Sequence, residues 1–138
     1  MTNKKLILVV DDDPGIQNLT RDILELYGHS VLTTGSHGDA LALCEQRGKE
    51  ISVVLLDVAE SEAAAFDVFQ RIQQVNPAAR VIITSSNGHD NDARGMFDRG
   101  SAEFLRKPYR MTELVRMVEG FKKIQSCRPS RKPRAITA

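Results

Sequence analysis

The sequence predicts an α/β fold: a three-layer sandwich in which helices cover both faces of a five-stranded parallel sheet. Three observations predict it. Short apolar runs alternate with longer amphipathic stretches five times over. The runs LILVV, VVLL and VIIT lack period-two alternation, which suits strands buried on both faces. Polar and charged residues follow the runs directly, at the strand ends where open α/β sheets bind ligands.

The first strand is Leu6–Val10. Asp13-Pro14 then gives an N-cap followed by a favoured first helical residue, so a helix starts here and runs to Tyr27. Its stripe Ile16, Leu19, Ile23 and Leu26 is assigned to the core, and Gly28 closes it. Ser30–Thr34 is the second strand; Ser36 with Asp39 resembles a capping box opening a helix that ends near Gly48. The third strand is Ser52–Leu56. Phe66, Phe69, Ile72 and Val75 mark the third helix, stopped at Asn76-Pro77. Arg80–Thr84 is the fourth strand, and Ala93, Met96 and Phe97 before Gly100 mark a fourth helix. Ala102–Leu105 is the fifth strand. Thr112 caps the fifth helix, with Leu114, Val118, Phe121 and Ile124 facing inward. Right-handed crossovers join the successive strands.

The 138 residues suffice for one domain with a real core. At 41% hydrophobic and 27% charged, the composition is that of a folded soluble chain rather than a disordered one. No apolar run reaches the length of a membrane span, and MTNKK leads straight into the first strand. The expectation is a cytoplasmic protein without leader or anchor. Cys44 and Cys127 are far apart and have no metal-ligand spacing, which fits thiols in a reducing compartment. The net charge of +1 hides an asymmetry: Arg128, Arg131, Lys132 and Arg134 stand in a tail without acids. Without those four, 15 basic face 18 acidic residues, a net −3 for residues 1–127. A domain at 1–127 and a disordered basic tail at 128–138 are expected. Four charges without interleaved aromatics are weak evidence for contact with nucleic acid or acidic lipid, and a solubilising or linker tail is expected.

Function is sought just after each strand. Asp11, Asp12 and Asp13 follow the first, Asp57 the third, Ser85 and Ser86 the fourth, and Lys107-Pro108 the fifth. The loop after the second strand offers only Gly35 and Ser36, as expected beside an outer strand. Asp13 is assigned to capping. Asp11, Asp12 and Asp57 converge if the first and third strands are neighbours, and three carboxylates in one crevice repel one another. A hard divalent cation removes that repulsion, and Mg²⁺ fits because it accepts a few carboxylate oxygens and keeps several waters. Lys107 offers a compact charge to a phosphate-type oxygen, and Ser85 a hydrogen bond to the same oxygen.

The motifs VVDDDP, VVLLD, Ser85-Ser86 and FLRKP together resemble the receiver domain of bacterial two-component response regulators over residues 5 to about 125. The stand-alone chemotaxis regulator is its simplest type, so the resemblance implies the flavodoxin-like (βα)5 strand order 2-1-3-4-5. It implies that Asp57 is the phosphoacceptor, attacking the phosphohistidine of a histidine kinase or phosphotransfer protein. It implies Mg²⁺ held by Asp11, Asp12 and Asp57 with the main-chain carbonyl of Ala59. Ser85 then matches the switch hydroxyl, with Ser86 beside it where alanine is common. Lys107 matches the phosphoryl-pairing lysine and Phe104 the aromatic switch, and the Lys107–Pro108 peptide is expected to be cis. No enzymatic activity is implied beyond Mg²⁺-dependent self-phosphorylation and self-dephosphorylation. The sequence departs from the family after the phosphoacceptor. Glu60 and Ser61 replace a Met-Pro pair, and Ala65 replaces a glycine.

The leading expectation is a single-domain response regulator without a DNA-binding unit. It would signal to a downstream protein through the surface around the fourth helix, fifth strand and fifth helix. A phosphorylation-independent scaffold of the same fold is the main alternative, motivated by the altered loop after Asp57. A haloacid-dehalogenase-like phosphatase is the other, but its aspartate nucleophile follows the first strand, whereas Asp57 follows the third.

Overall fold

A computed structural model describes residues 5–58, 62–85 and 102–120. The expected fourth helix, the region from Phe121 onward with the basic tail, and Ala59, Glu60, Ser61 and Ser86 lie outside the described residues. The chain divides into two units, the first ending at Lys107 and the second starting at Pro108.

The first unit holds strands β1 (Leu6–Val10), β2 (Ser30–Thr34), β3 (Val53–Asp57), β4 (Arg80–Ser85) and β5 (Glu103–Arg106), and helices α1 (Pro14–Leu26), α2 (His37–Arg47) and α3 (Glu62–Val75). All the pairings are parallel, and the sheet order is β2-β1-β3-β4-β5. This is the flavodoxin-like arrangement. The connection β1 to β2 runs across the sheet in one direction, and β2 to β3 and β3 to β4 run in the other. Right-handed crossovers therefore put α1 on one face and α2 and α3 on the opposite face. The reversal lies between β1 and β3, whose exits frame the crevice where such sheets bind ligands.

Both faces are dry where the strands are central. Leu8, Val10, Val54, Leu56, Val81 and Ile83 belong to one buried cluster with Ala40 and Cys44 of α2 and Phe69 and Ile72 of α3. The alternate residues Ile7, Val9, Val53, Leu55 and Ile82 point to the other face and are buried as well. This two-sided burial is why the runs carry no polar alternation.

Asp13 caps α1, its Oδ1 accepting from the Gly15 and Ile16 amides at 2.8 and 3.4 Å, and Pro14 follows as the first helical residue. The expected core stripe of α1 is corrected. Leu19 and Leu26 are 47% and 79% exposed, Ile16 and Ile23 are half-buried, and the buried residues are Thr20 and Leu24. Leu19 and Leu26 lie roughly 100° or more around the helix from Thr20 at 3.6 residues per turn. The apolar stripe was read correctly as a pattern, but the helix is seated on its flank, with a threonine at the centre of the contact. Thr20 is 1% exposed and its Oγ1 has no hydrogen-bond partner among the described residues. Thr20→Val keeps the shape and removes a desolvated hydroxyl, so it is expected to stabilise the protein by about 1 kcal/mol. Denaturant unfolding of the two proteins checks this; equal or lower stability of the valine form would refute the assignment.

Three strands also start or stop differently from expectation. β3 and β4 each run one residue further, to Asp57 and Ser85, because Asp57 pairs with Thr84 and the Val58 amide donates to Thr84 O at 3.2 Å. The fifth strand is Glu103–Arg106, where Arg80 makes a two-pronged contact with Glu103 (2.9 and 2.8 Å) that fixes the register of β5 against β4. α3 begins at Glu62, so Ala63–Ala65 are helical, and Ala65 is fully buried in the α2/α3 cluster. Asn76 stops α3 and donates from Nδ2 to the carbonyls of Gly48, Lys49 and Ile51 at 3.2, 3.3 and 2.9 Å. One amide thereby ties down the turn that delivers β3. Burial raises the Cys44 thiol to about 11, which keeps it protonated and unreactive in the core.

The second unit contains α4 (Met111–Val118), in which Leu114, Val115 and Val118 are buried. Thr112 is not its cap. Arg110 occupies that position, and its amide donates to Glu113 Oε1 at 3.1 Å, so the carboxylate three residues on takes up the donor.

Candidate phosphoryl and metal site

The exits of β1 and β3 bring Asp11, Asp12 and Asp57 together. One carboxylate oxygen of each lies within 4.8 Å of the others. Asp11 and Asp57 are buried, at 5% and 6% exposure, while Asp12 is exposed. At an effective dielectric constant near 20, two such buried carboxylates repel by about 3 kcal/mol. The fold partly offsets this. Lys107 Nζ lies 3.2 Å from Asp11 Oδ2 and 3.4 Å from Asp57 Oδ1, reaching both buried carboxylates from the exit of β5. The Asp13 amide donates to Asp11 Oδ1 at 3.0 Å. Three carboxylates and one ammonium still leave two negative charges, which a divalent cation matches. The donors are hard oxygens, and the three-residue cluster contains neither histidine nor cysteine, which suits Mg²⁺ and not a soft metal. The residues therefore fit the ion that the resemblance implies.

Ser85 ends β4 and is buried, and its carbonyl accepts from the Lys107 amide at 2.8 Å, so the β4 and β5 exits are joined at the residues assigned to the phosphoryl group. Pro108 follows in the bend after β5. Phe104 pairs with Ile83 across β4–β5 and is half-buried against the α2/α3-side cluster.

The exit of β2 contributes more than expected. Gly35, Ser36 and His37 line the same small cavity as Asp11, Asp12 and Asp57. Its volume of about 100 Å³ takes several waters around an ion but no sizeable organic ligand. Ser36 caps α2, accepting from the Asp39 amide at 3.0 Å, which sets His37 on the first turn. His37 Nε2 lies 3.0 Å from the main-chain oxygen of Asp57, and a carbonyl only accepts, so the ring donates. Gln17 on α1 donates from Nε2 to the main-chain oxygen of Asp11 at 2.5 Å. Both residues escaped the sequence reading. The available signal was positional: each sits on the first turn of a helix that starts at the crevice.

No helix among the described residues is long and apolar enough to cross a membrane.

Comparison with known proteins gives one consistent result. The family model of the response regulator receiver domain matches residues 7–119. The DNA-binding transcriptional regulator NtrC of Azospirillum brasilense is 32% identical over 114 residues, 82% of this chain. The transcriptional regulatory protein GlrR of Escherichia coli K12 is 31% identical over 113 residues, again 82% of this chain. The matches take in 23% and 25% of those two proteins, so the chain spans about a quarter of the length of these curated relatives. Among solved structures, a response regulator receiver domain protein from Clostridium thermocellum aligns with a TM-score of 0.75 at 29% identity, over 83% of this chain and 90% of that one.

Proposed function

The chain belongs to the response regulator receiver domain family, and from that membership we propose that it accepts a phosphoryl group on Asp57. The donor is the phosphohistidine of a sensor kinase or phosphotransfer protein, or a small acyl phosphate. A carboxylate oxygen of Asp57 forms the new P–O bond as the donor's P–N or acyl P–O bond breaks. The observation that carries this reading is the convergence of Asp57 with Asp11, Asp12 and Lys107 in one crevice at the sheet's reversal point.

Asp11, Asp12 and Asp57 would hold Mg²⁺, with the Ala59 carbonyl as the further ligand implied by the family. The bound ion would neutralise charge on the phosphoryl oxygens during transfer. Lys107 then turns from its two carboxylates to a phosphoryl oxygen, and Ser85 donates a hydrogen bond to another. Those movements bias the packing of Phe104, and the altered face recruits a downstream protein. Enzymatic activity is confined to self-phosphorylation and self-dephosphorylation.

Incubation with acetyl phosphate and Mg²⁺, followed by intact mass, tests the reading. One phosphoryl group per chain is expected, and none when Mg²⁺ is chelated. Mg²⁺ itself should saturate one site at roughly millimolar affinity, because few protein oxygens replace its waters. Asp12→Ala is expected to weaken that affinity at least about tenfold. Unchanged Mg²⁺ affinity in this variant would remove Asp12 from the site, and a chain that stays unmodified at saturating donor would favour the phosphorylation-independent scaffold.

A further inference from the structure

The two buried aspartates are held in the same way at both ends. Lys107 reaches the carboxylates of Asp11 and Asp57. The main-chain carbonyl of each is in turn taken by a side-chain N–H from the first turn of a helix: Gln17 of α1 on Asp11, His37 of α2 on Asp57. We propose that Gln17 and His37 are positioning residues for phosphoryl transfer, a pair of helix-borne donors that fix the backbone from which the metal and acceptor carboxylates hang. This rests on the phosphoacceptor reading above.

Space around the clamp agrees with such a role. A β-carbon on Gly35 would stand 3.3 Å from Gln17 Nε2 and 3.8 Å from Asp11 O, so the missing side chain leaves room for the amide against that carbonyl. Gly35 does not have a positive φ; its use here is space rather than backbone freedom. His37 forms part of the cavity wall beside Asp57, so its hydrogen bond is made within the site itself. In-line transfer depends on geometry far more than on added covalent chemistry. A carboxylate whose Cα can drift loses rate steeply with displacement.

The donor chemistry makes the test specific. Gln17→Glu keeps the shape and replaces the donor with an acceptor facing a carbonyl. His37→Leu removes the donor, whereas His37→Gln restores an N–H of similar reach. Phosphoryl uptake from acetyl phosphate is followed by intact mass at saturating Mg²⁺, over a range of donor concentrations, with circular dichroism verifying the fold. Gln17→Glu and His37→Leu are each expected to lower the maximal rate about tenfold, with the half-saturating donor concentration within about twofold of wild type. His37→Gln should recover to within about threefold of wild type, as a donor role requires and a packing role does not. Gly35→Ala, whose β-carbon would press on the Gln17 amide at 3.3 Å and leave His37 untouched, should slow transfer in the same direction as Gln17→Glu but by a smaller factor, and Gln17→Glu carries the test if His37→Leu does not fold. Maximal rates at wild-type level in Gln17→Glu and Gly35→Ala, or a His37→Gln protein as slow as His37→Leu, would overturn the clamp. Failure of the wild type itself to take up phosphate would instead overturn the reading on which it rests.

Discussion

Asp57→Asn is expected to abolish phosphoryl uptake, lowering it by about a thousandfold or more, because the amide removes the nucleophile outright. The same substitution is expected to leave the fold as stable as before, or more so. Asp57 is a buried carboxylate whose attraction to Lys107, at 3.4 Å, is set against repulsion from Asp11 and Asp12. The attraction and the repulsion are of similar size at these separations, and the cost of removing the charge from water remains. A neutral amide of the same shape escapes that cost. Loss of function without loss of stability separates an acceptor from a structural carboxylate, whose removal would lower both. Intact mass after acetyl phosphate treatment and a thermal melt without metal provide the two readings. Wild-type uptake in the Asp57→Asn protein would move the acceptor elsewhere.

Lys107→Met should produce the second largest change, a fall in phosphorylation rate of about a hundredfold, in line with the removal of one preorganised charge from a transition state. Methionine retains much of the apolar stem and none of the charge. Without metal, the variant leaves Asp11 and Asp57 buried without their shared ammonium. Lys107 is itself 24% exposed, so the cost is discounted from that of a fully buried pair, to about 2 kcal/mol. Mg²⁺ should restore much of the stability, since it neutralises the same oxygens, but little of the rate, since the transferred phosphoryl group still lacks its partner. Measuring melting temperature and uptake across a Mg²⁺ titration checks both halves. Parallel recovery of stability and rate would reduce Lys107 to a counter-charge.

Most of the fold was legible because the strands announce themselves. LILVV and VVLL are buried on both faces, and that leaves an unbroken apolar run in the sequence. The acidic site was legible for a related reason: charged residues at the end of a dry strand have few uses, and three such exits carried carboxylates or an amine. The seating of α1 was not legible. A stripe of Ile16, Leu19, Ile23 and Leu26 gives the same periodicity whichever flank meets the sheet, and the choice depends on packing against β1 and β2. Thr112 was likewise a good cap by residue type, overruled by Glu113 reaching back to Arg110. Gln17 and His37 were missed for a different reason. Their partners are main-chain carbonyls, which leave no mark in a sequence, and His37 opens a helix whose preceding loop, Gly35-Ser36, was set aside because it follows an edge strand.

The central claim is that Asp57 carries the phosphoryl group, and the most direct measurement is to locate that group chemically in the wild-type protein. After treatment with acetyl phosphate and Mg²⁺, borohydride reduction converts an aspartyl phosphate to homoserine, and peptide mass spectrometry reads which residue has changed. Conversion at Asp57, with Asp11 and Asp12 intact, is the expected result. Conversion at Asp11 or Asp12, or none in a protein that has gained the mass of a phosphoryl group, would contradict it.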